Sequence, residues 1–282
     1  MPTPSSSTTI QPLEFAKETI LGMTTSLEQR FGCVPRNDIA TTLNHKFDVF
    51  PARLPANPKL VQYFCWGVGG RINDTTSLSS AQYVLGTNMA LYNMRPFRAV
   101  PFEEDLSAIE RAKYALRQIR LINGVPYCLY YLKKIDFTQS QVQYIRTDPT
   151  SDIVSSYEID PINLSPIPPV ADDNGVITDV ADTVSVVLPG TLTITGREVI
   201  ESMSVIDGGD ARYSIVSELG FVSASTEIVQ VADHGGAPFS YSEAILAQLV
   251  DHYNWVGHPF LSTSDTWTRT MNFSMKNLIV SS

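Results

Sequence analysis

The chain has 282 residues, of which 43% are apolar and 17% are charged, with a net charge of −9. This length can bury a sizeable core, as one large domain or two small ones. The deficit of cations argues against nucleic acid as a partner, since binding the phosphate backbone needs clustered Lys and Arg, and no apolar run approaches the roughly 18 residues that would span a bilayer.

The first twelve residues, MPTPSSSTTIQP, contain mainly Ser, Thr and Pro. A segment with so little apolar surface to bury predicts a flexible arm over residues 1–12. It lacks the basic and apolar regions of a signal peptide. We therefore expect a soluble protein made in the cytoplasm.

A helical pattern follows the arm. Apolar residues recur at spacings of three and four, which places them on one stripe: Leu13, Ala16, Ile20, Met23 and Leu27. Gly32 is a plausible end for this helix. The stripe needs a cover, which could be the chain's own core or a neighbouring subunit.

Residues 32–102 are irregular and rich in proline, with one dense apolar cluster, QYFCWGVGG, around Trp66. Two interpretations stay open for so long a segment. It could be an extended segment that wraps along another chain, or a loop-rich lobe packed on its own domain. The GVGG element at 67–70 lacks the lysine and the spacing of a phosphate-binding loop. It favours a tight backbone crossing instead.

The pattern becomes clearer from residue 103. A short helical turn is predicted first, with Asp105 or Ser107 as its cap. Asn123-Gly124 then lies between two apolar runs, which predicts a hairpin with a type I′ turn. A second hairpin is predicted over 142–160, turning at Asp148-Pro149, and the proline-rich residues 160–175 indicate a linker.

The remaining residues predict strands with one further helix. We expect two or more strands over 182–206, with turns near Pro189-Gly190 and Gly196, and another pair over 207–231. A helix over 242–256 and a last strand near the C-terminus follow. The domain division follows as the arm, an N-terminal helix with a loop-rich segment over 13–102, and a core over 103–282. The predicted fold class is mainly β with peripheral helices (α+β), built on an antiparallel β-sandwich-like core.

The sequence offers little recognisable catalytic equipment. It has neither the nucleophile elbow of serine hydrolases nor a pair of cysteines at zinc-binding spacing. Three cysteines and four histidines are scattered along the chain: Cys33, Cys65, Cys128, His45, His234, His252 and His258. We predict no catalytic residue, no metal site and no cofactor.

Glu218 is the one carboxylate inside an apolar, β-branched run, YSIVSELGFVS (213–223). In a strand it shares a face with Val216, Gly220 and Val222. A glutamate so placed is suited to structural work, either pairing with an arginine across the sheet or accepting backbone amides where the strand bends at Gly220.

The same stretch is similar to one that recurs in structural proteins of tailed-bacteriophage virions. The block over residues 88–137, with its RPFR element, its DLSAIERA turn and the aromatic hairpin, also resembles a segment of structural proteins of large contractile-tailed phages. The resemblance covers roughly residues 60–275. It implies a virion subunit of the tail, neck or baseplate, forming a homo-oligomer and contacting other virion structural proteins, and it carries over no functional residues.

Two other classes of function stay open. A hydrolase acting on cell-surface polymer would need Glu103, Glu104 or Glu218 to face another carboxylate across a groove. A carbohydrate-binding protein would expose an aromatic platform, for which Trp66, Trp255 and Trp267 are the candidates. Because these tryptophans have apolar neighbours, we expect all three to be buried.

Overall fold

The computed structural model describes residues 14–32, 38–72, 80–147, 154–158, 182–232 and 238–280. The chain divides into two compact units, the first within residues 1–135 and 194–267, the second within 136–193 and 268–282. The predicted boundary at residue 102 does not coincide with this division. The reason is that strands from 60–101 belong to the same sheet as strands that lie after residue 103.

The described part of the chain contains fourteen strands and four α-helices. The strands are β1 (Glu14–Glu18), β2 (Leu60–Gly67), β3 (Arg71–Ile72), β4 (Ser80–Ala81), β5 (Met94–Arg95), β6 (Arg98–Pro101), β7 (Tyr114–Ile122), β8 (Val125–Lys134), β9 (Gln143–Thr147), β10 (Val154–Ser156), β11 (Asp182–Thr195), β12 (Ile215–Ala232), β13 (Pro238–Pro259) and β14 (Thr266–Val280). The helices are α1 (Ile20–Phe31), α2 (Leu43–Phe47), α3 (Ala108–Arg111) and α4 (Gly196–Ile206), with 3₁₀ turns at Ile39–Thr41, Phe102–Glu104 and Ala211–Ser214.

An eight-stranded sheet forms the first unit, in the order β1–β13–β12–β2–β8–β6, with β5 beside β2 and β7 beside β8. A four-stranded sheet, β10–β9–β11–β14, lies mainly in the second unit, and β3 and β4 form a small ribbon. The strand pairs whose register is described are antiparallel. The prediction of a mainly β fold with peripheral helices is confirmed.

Strand β2 settles the position of the irregular segment. It lies between β12 and β8 in the middle of the large sheet, and its residues Tyr63, Phe64 and Trp66 are fully buried. The side chain of Phe97 packs edge-on against Phe64. The described residues of 38–102 are therefore packed on their own domain, as the second of the two open interpretations holds.

The helix predicted over 242–256 is wrong, because these residues form most of strand β13. Nearly every residue from 243 to 254 is buried, since β13 is covered on both faces. A strand buried on both faces shows no apolar–polar alternation, and a continuous apolar run can then imitate a helical stripe. A bulge at Leu246, whose φ is 53°, shifts the period further.

The N-terminal helix begins later than predicted. Ala16 lies in strand β1, paired opposite Tyr253 of β13, and α1 begins only after its N-cap Thr19. Leu13 lies outside the described residues, as do residues 1–12. The end of the helix is as predicted, because Gly32 is its C-cap in the left-handed conformation, with φ of 61°.

Two predicted strand pairs are single long strands instead. Strand β11 runs straight through Pro189-Gly190, where a turn was predicted, and β12 spans eighteen residues. The strand expected after Gly196 is helix α4. Its capping box, in which the Thr195 and Glu198 side chains exchange bonds with backbone amides, is readable in the sequence as TGRE and could have revealed the helix.

Both predicted hairpins have their strands in place. Asn123 and Gly124 have φ of 50° and 82°, and β7 pairs with β8 around them, so the type I′ prediction is confirmed. Ser107 caps α3 by accepting from Glu110 N. Strands β9 and β10 pair as expected, although Asp148-Pro149 and the predicted linker over 160–175 lie outside the described residues. The predicted last strand is β14.

Candidate functional site

Helix α1 packs on the sheet through small and polar residues. The side chain of Thr19 donates to Leu249 O at 2.6 Å, and Thr25 is buried with its Oγ1 3.5 Å from Ser223 Oγ. Gly22 lies so close to β13 that an added Cβ would be 2.3 Å from Val250 O. The inward face of this helix is therefore its small, hydroxyl-bearing face.

The apolar face of the same helix points outward. Ile20, Met23 and Leu27, three residues of the predicted stripe, are 50%, 47% and 57% exposed, and Phe31 continues the stripe at 66%. A helix that serves only its own domain buries its apolar side. In α1 that side is left uncovered. We call Ile20, Met23, Leu27 and Phe31 the α1 stripe.

A second exposed apolar surface lies at the tip of the β7–β8 hairpin. Ile119 and Leu121 are 53% and 69% exposed and share one face of β7. Pro126, which pairs with Leu121, is exposed beside them. We call these three residues the hairpin face. Contiguous exposed apolar residues mark interaction sites more often than scattered ones do.

Glu218 is fully buried at the crossing of β12 with two loops. Its carboxylate accepts from Tyr92 N at 2.7 Å, from Asn93 N at 3.0 Å, and also from Gly69 N. Of the two structural roles foreseen from the sequence, accepting backbone amides is therefore the one that the structure has. Backbone amides of two separate loops converge on one carboxylate, which fixes both loops to the sheet.

Glycines allow these loops to approach the sheet. An added Cβ on Gly69 would be 2.4 Å from Glu218 Oε1, and on Gly70 only 1.9 Å from Ser217 O. On Gly220 of β12, an added Cβ would be 2.4 Å from Leu249 Cδ1 and 2.8 Å from Cys65 Sγ. The GVGG element thus makes the tight backbone crossing that its composition predicts.

Other buried polar side chains surround Glu218. His252 and Asn254 of β13 lie on the same face of the sheet as Glu218, because they pair with Gly220 and Glu218 of β12. His252 Nε2 is 3.6 Å from Glu218 Oε2, and Asn254 donates to Gln82 O at 3.0 Å. All three side chains are fully buried, so the cluster fixes residues 82–93 beneath the surface and offers no open cleft to a substrate.

Asp105 is the centre of a second buried charge cluster. It accepts from Tyr130 Oη at 2.6 Å and from Arg117 Nη2 at 2.7 Å, and it also pairs with Arg111. Burial opposes ionisation, but the Tyr130 hydrogen bond and the two guanidinium charges outweigh it and hold the pKa of Asp105 below its ordinary value. Burial also raises the pKa of the neighbouring Cys128 thiol to about 12, which leaves it unreactive.

The acids proposed for an enzyme are not assembled across a groove. Glu103 and Glu104 are exposed in a 3₁₀ turn, whereas Glu218 is buried. Within the described ranges, no group of three or more His, Cys, Asp or Glu side chains is arranged to hold a metal ion. In the same part of the chain, no helix is long and apolar enough to cross a membrane.

The expectation that all three tryptophans are buried is wrong for two of them. Trp66 is fully buried in β2. Trp255 and Trp267 are half-buried and stack on each other, with ring centroids 6.1 Å apart and an interplanar angle of 13°. Trp267 lies between Thr266 and Thr268, which are both exposed, so little of the chain packs over this pair.

The edge of the large sheet also carries a pair of like charges. Glu18 of β1 lies opposite Asp251 of β13. Burial and, second, the charge of Glu18 raise the pKa of Asp251 to about 6. An aspartate in the unfolded chain titrates near 4, so the folded chain holds this proton more tightly than the unfolded chain does.

Above pH 6 the folded chain must hold Asp251 ionised, which costs free energy, and this cost disappears towards pH 4, where the carboxyl group is protonated in the folded chain. Lowering the pH from 7 to 5 should therefore increase the contribution of Asp251 to stability. We expect Asp251→Asn to raise the free energy of unfolding by about 2 kcal/mol at pH 7 and by less at pH 5. Urea unfolding at both pH values measures the difference. An equal gain at both pH values would contradict the assignment, and Glu104→Gln serves as the control.

A family model described as a family of unknown function (DUF7208) matches residues 5–272 of the chain. No curated protein and no solved structure matches it. The family match extends over both units of the fold, and it assigns neither an activity nor a partner.

Proposed function

The chain belongs to the DUF7208 family, and from this starting point we propose that it is a structural subunit of a phage virion. In this proposal it assembles into a ring or layer of the tail, neck or baseplate, through contacts with copies of itself and with other virion proteins. The resemblance of residues 88–137 and 213–223 to structural proteins of tailed phages supports the choice of particle.

The single observation that carries an assembly role is the reversed packing of helix α1. Its small face, with Gly22 and Thr25, is buried, while its apolar stripe is about half exposed. Leaving such side chains in water costs roughly 25 cal/mol for each Å² of apolar surface. A protein that works by assembly recovers this free energy when a neighbour covers the stripe.

The buried carboxylates support the same role. Glu218, Glu198 and Asp105 each accept several hydrogen bonds from loops or from other strands. Polar groups that are fully satisfied in this way fix a single arrangement of the surrounding chain. A rigid body with fixed loops is what a repeated subunit needs, because each contact is then formed at a lower entropic cost.

Proteomic analysis of purified particles tests this function. In particles of a phage that encodes the chain, we expect the protein at a fixed, multiple copy number relative to the major tail protein. Particles washed at high salt should retain it, since the proposed contact is mainly apolar. Its absence from intact particles, with the protein present in the lysate, would contradict the proposal.

A second candidate function is binding of host-surface carbohydrate, and the stacked, half-buried Trp255–Trp267 pair favours it. Sugar rings pack on exposed aromatic faces. Under this alternative, Trp267→Ala should abolish retention of the protein on host-cell polysaccharide while Ile109→Ala, a change at an exposed residue, should not. Equal retention of both variants would exclude the tryptophan pair as the binding platform.

A further inference from the structure

We propose that the α1 stripe of one copy binds the hairpin face of a second copy, so that subunits join head to tail. The inference rests on the proposed function and names the partner of its assembly surface. The two apolar surfaces lie on different elements of the chain, and in this proposal each one covers the other in a neighbouring copy.

The two surfaces belong to different elements of the first unit. Helix α1 follows the edge strand β1 directly and packs on β13, whereas the β7–β8 hairpin comes after β12 and β2 in the strand order. It is the buried base of the hairpin that contacts β13, where Leu116 N donates to the Glu243 carboxylate. Two different surfaces that bind each other between copies form a heterologous contact. Such a contact builds rings when the rotation closes and filaments when it does not.

The shapes of the two surfaces are compatible. The α1 stripe runs along a twelve-residue helix, which is about 18 Å long. The hairpin face is a narrow two-stranded ribbon that projects Ile119, Leu121 and Pro126 beyond the buried base of the hairpin. Its ridge can lie along a helix of this length with Met23 and Leu27 at the centre of the contact.

The charge of the hairpin also favours a second copy of this acidic chain as its partner. Residues 111–134 contain six Lys or Arg and no Asp or Glu, although the rest of the chain carries fourteen cations against twenty-nine acids. Three of these cations pair within the unit, Arg111 and Arg117 with Asp105 and Lys133 with Glu198, which leaves Lys113, Arg120 and Lys134 exposed. Beside the α1 stripe, Glu14 and Glu18 are exposed together with Lys17 and Arg30. A locally basic surface in an acidic chain is attracted to a second copy rather than repelled by it.

Blocking each surface separately tests the head-to-tail arrangement. Leu27→Glu places a charge in the stripe and leaves the hairpin face intact, and Leu121→Glu does the reverse. Both residues are more than half exposed, so neither change should unfold the chain, which circular dichroism verifies. Leu261→Glu, at a residue that is 87% exposed elsewhere in the first unit, is the matched control.

Sedimentation analysis at concentrations up to about 1 mM, where weak contacts become populated, gives the readout. We expect the wild-type chain and Leu261→Glu to form species larger than dimers, and each blocked variant to be monomeric. An equimolar mixture of the two blocked variants should form dimers only, because one intact stripe then meets one intact hairpin face.

Three results would overturn the inference. In the first, Leu27→Glu is monomeric while Leu121→Glu still associates, which would mean that stripe binds stripe. In the second, the mixture of blocked variants stays monomeric. In the third, the wild-type chain is monomeric throughout the concentration range. If the protein is nevertheless found in purified particles, the virion function stands and only the partner of the stripe is wrong; absence from particles would refute the function itself.

Cysteine cross-linking gives an independent check. In a Cys33→Ser background, chains with Leu27→Cys and chains with Leu121→Cys should form a disulfide-linked heterodimer when mixed under mild oxidation. The remaining native thiols, Cys65 and Cys128, are buried. Cross-linking at Leu27→Cys alone, with none to Leu121→Cys, would favour a contact between two stripes.

Discussion

Replacing Glu218 by glutamine is expected to lower the free energy of unfolding of the first unit by about 2–4 kcal/mol. The carboxylate offers an acceptor on both oxygens, and the backbone amides of Gly69, Tyr92 and Asn93 use both of them. Glutamine keeps one acceptor and turns the other into a donor. Whichever way its amide is oriented, at least one buried backbone N–H then faces another N–H.

Urea unfolding of the wild type and of Glu218→Gln measures this loss. Hydrogen exchange locates it, since the amides of Gly69, Tyr92 and Asn93 should lose protection before the strands of the sheet do. Glu104→Gln makes the same chemical change on the surface and should alter stability by less than about 0.5 kcal/mol. Similar small effects of both substitutions would show that Glu218 does not hold the two loops.

Replacing Gly70 by alanine should destabilise the same crossing by about 3 kcal/mol or more. The added Cβ would lie 1.9 Å from the carbonyl oxygen of Ser217, 2.6 Å from its carbonyl carbon and 2.9 Å from Glu218 Cγ. The first two are backbone atoms of strand β12, so no side-chain rotation relieves the clash. The loop must move away from the sheet, and the amide of Gly69 then leaves Glu218.

Gly86→Ala is the matched control, because the nearest atom to its added Cβ is 3.5 Å away. We expect this change to be neutral within about 0.5 kcal/mol. The two alanine variants are compared by thermal unfolding monitored at the tryptophan fluorescence, which reports on the buried Trp66. If Gly70→Ala unfolds at the same temperature as Gly86→Ala, the close crossing at residues 67–70 is not formed as described.

The two effects should also be coupled, since Gly70 and Glu218 act at one crossing. The double variant is expected to lose less stability than the sum of the two single changes, by about 1 kcal/mol or more. A loop already displaced by alanine at position 70 no longer depends fully on the carboxylate.

Local signals in the sequence determined several features of this protein. The turn at Asn123-Gly124, the cap of α3 at Ser107 and the end of α1 at Gly32 depend on backbone angles and hydrogen bonds within a few residues, so the residue types alone are sufficient. The mainly β class and the buried, structural character suggested for Glu218 follow from apolar alternation and from the absence of a catalytic partner in the sequence.

Only the tertiary structure decided the rest. Residues 242–256 have a helical spacing of apolar side chains, yet they form a strand that pairs with β12 and is packed against by α1, α2 and β7. The close approach of Gly22 to β13 decides which side of α1 is buried. The amides that donate to Glu218 come from residues more than a hundred positions away in the sequence. Contacts between distant segments outweigh local preference, because burial and satisfied hydrogen bonds in the folded sheet contribute more free energy than the propensity of any single stretch.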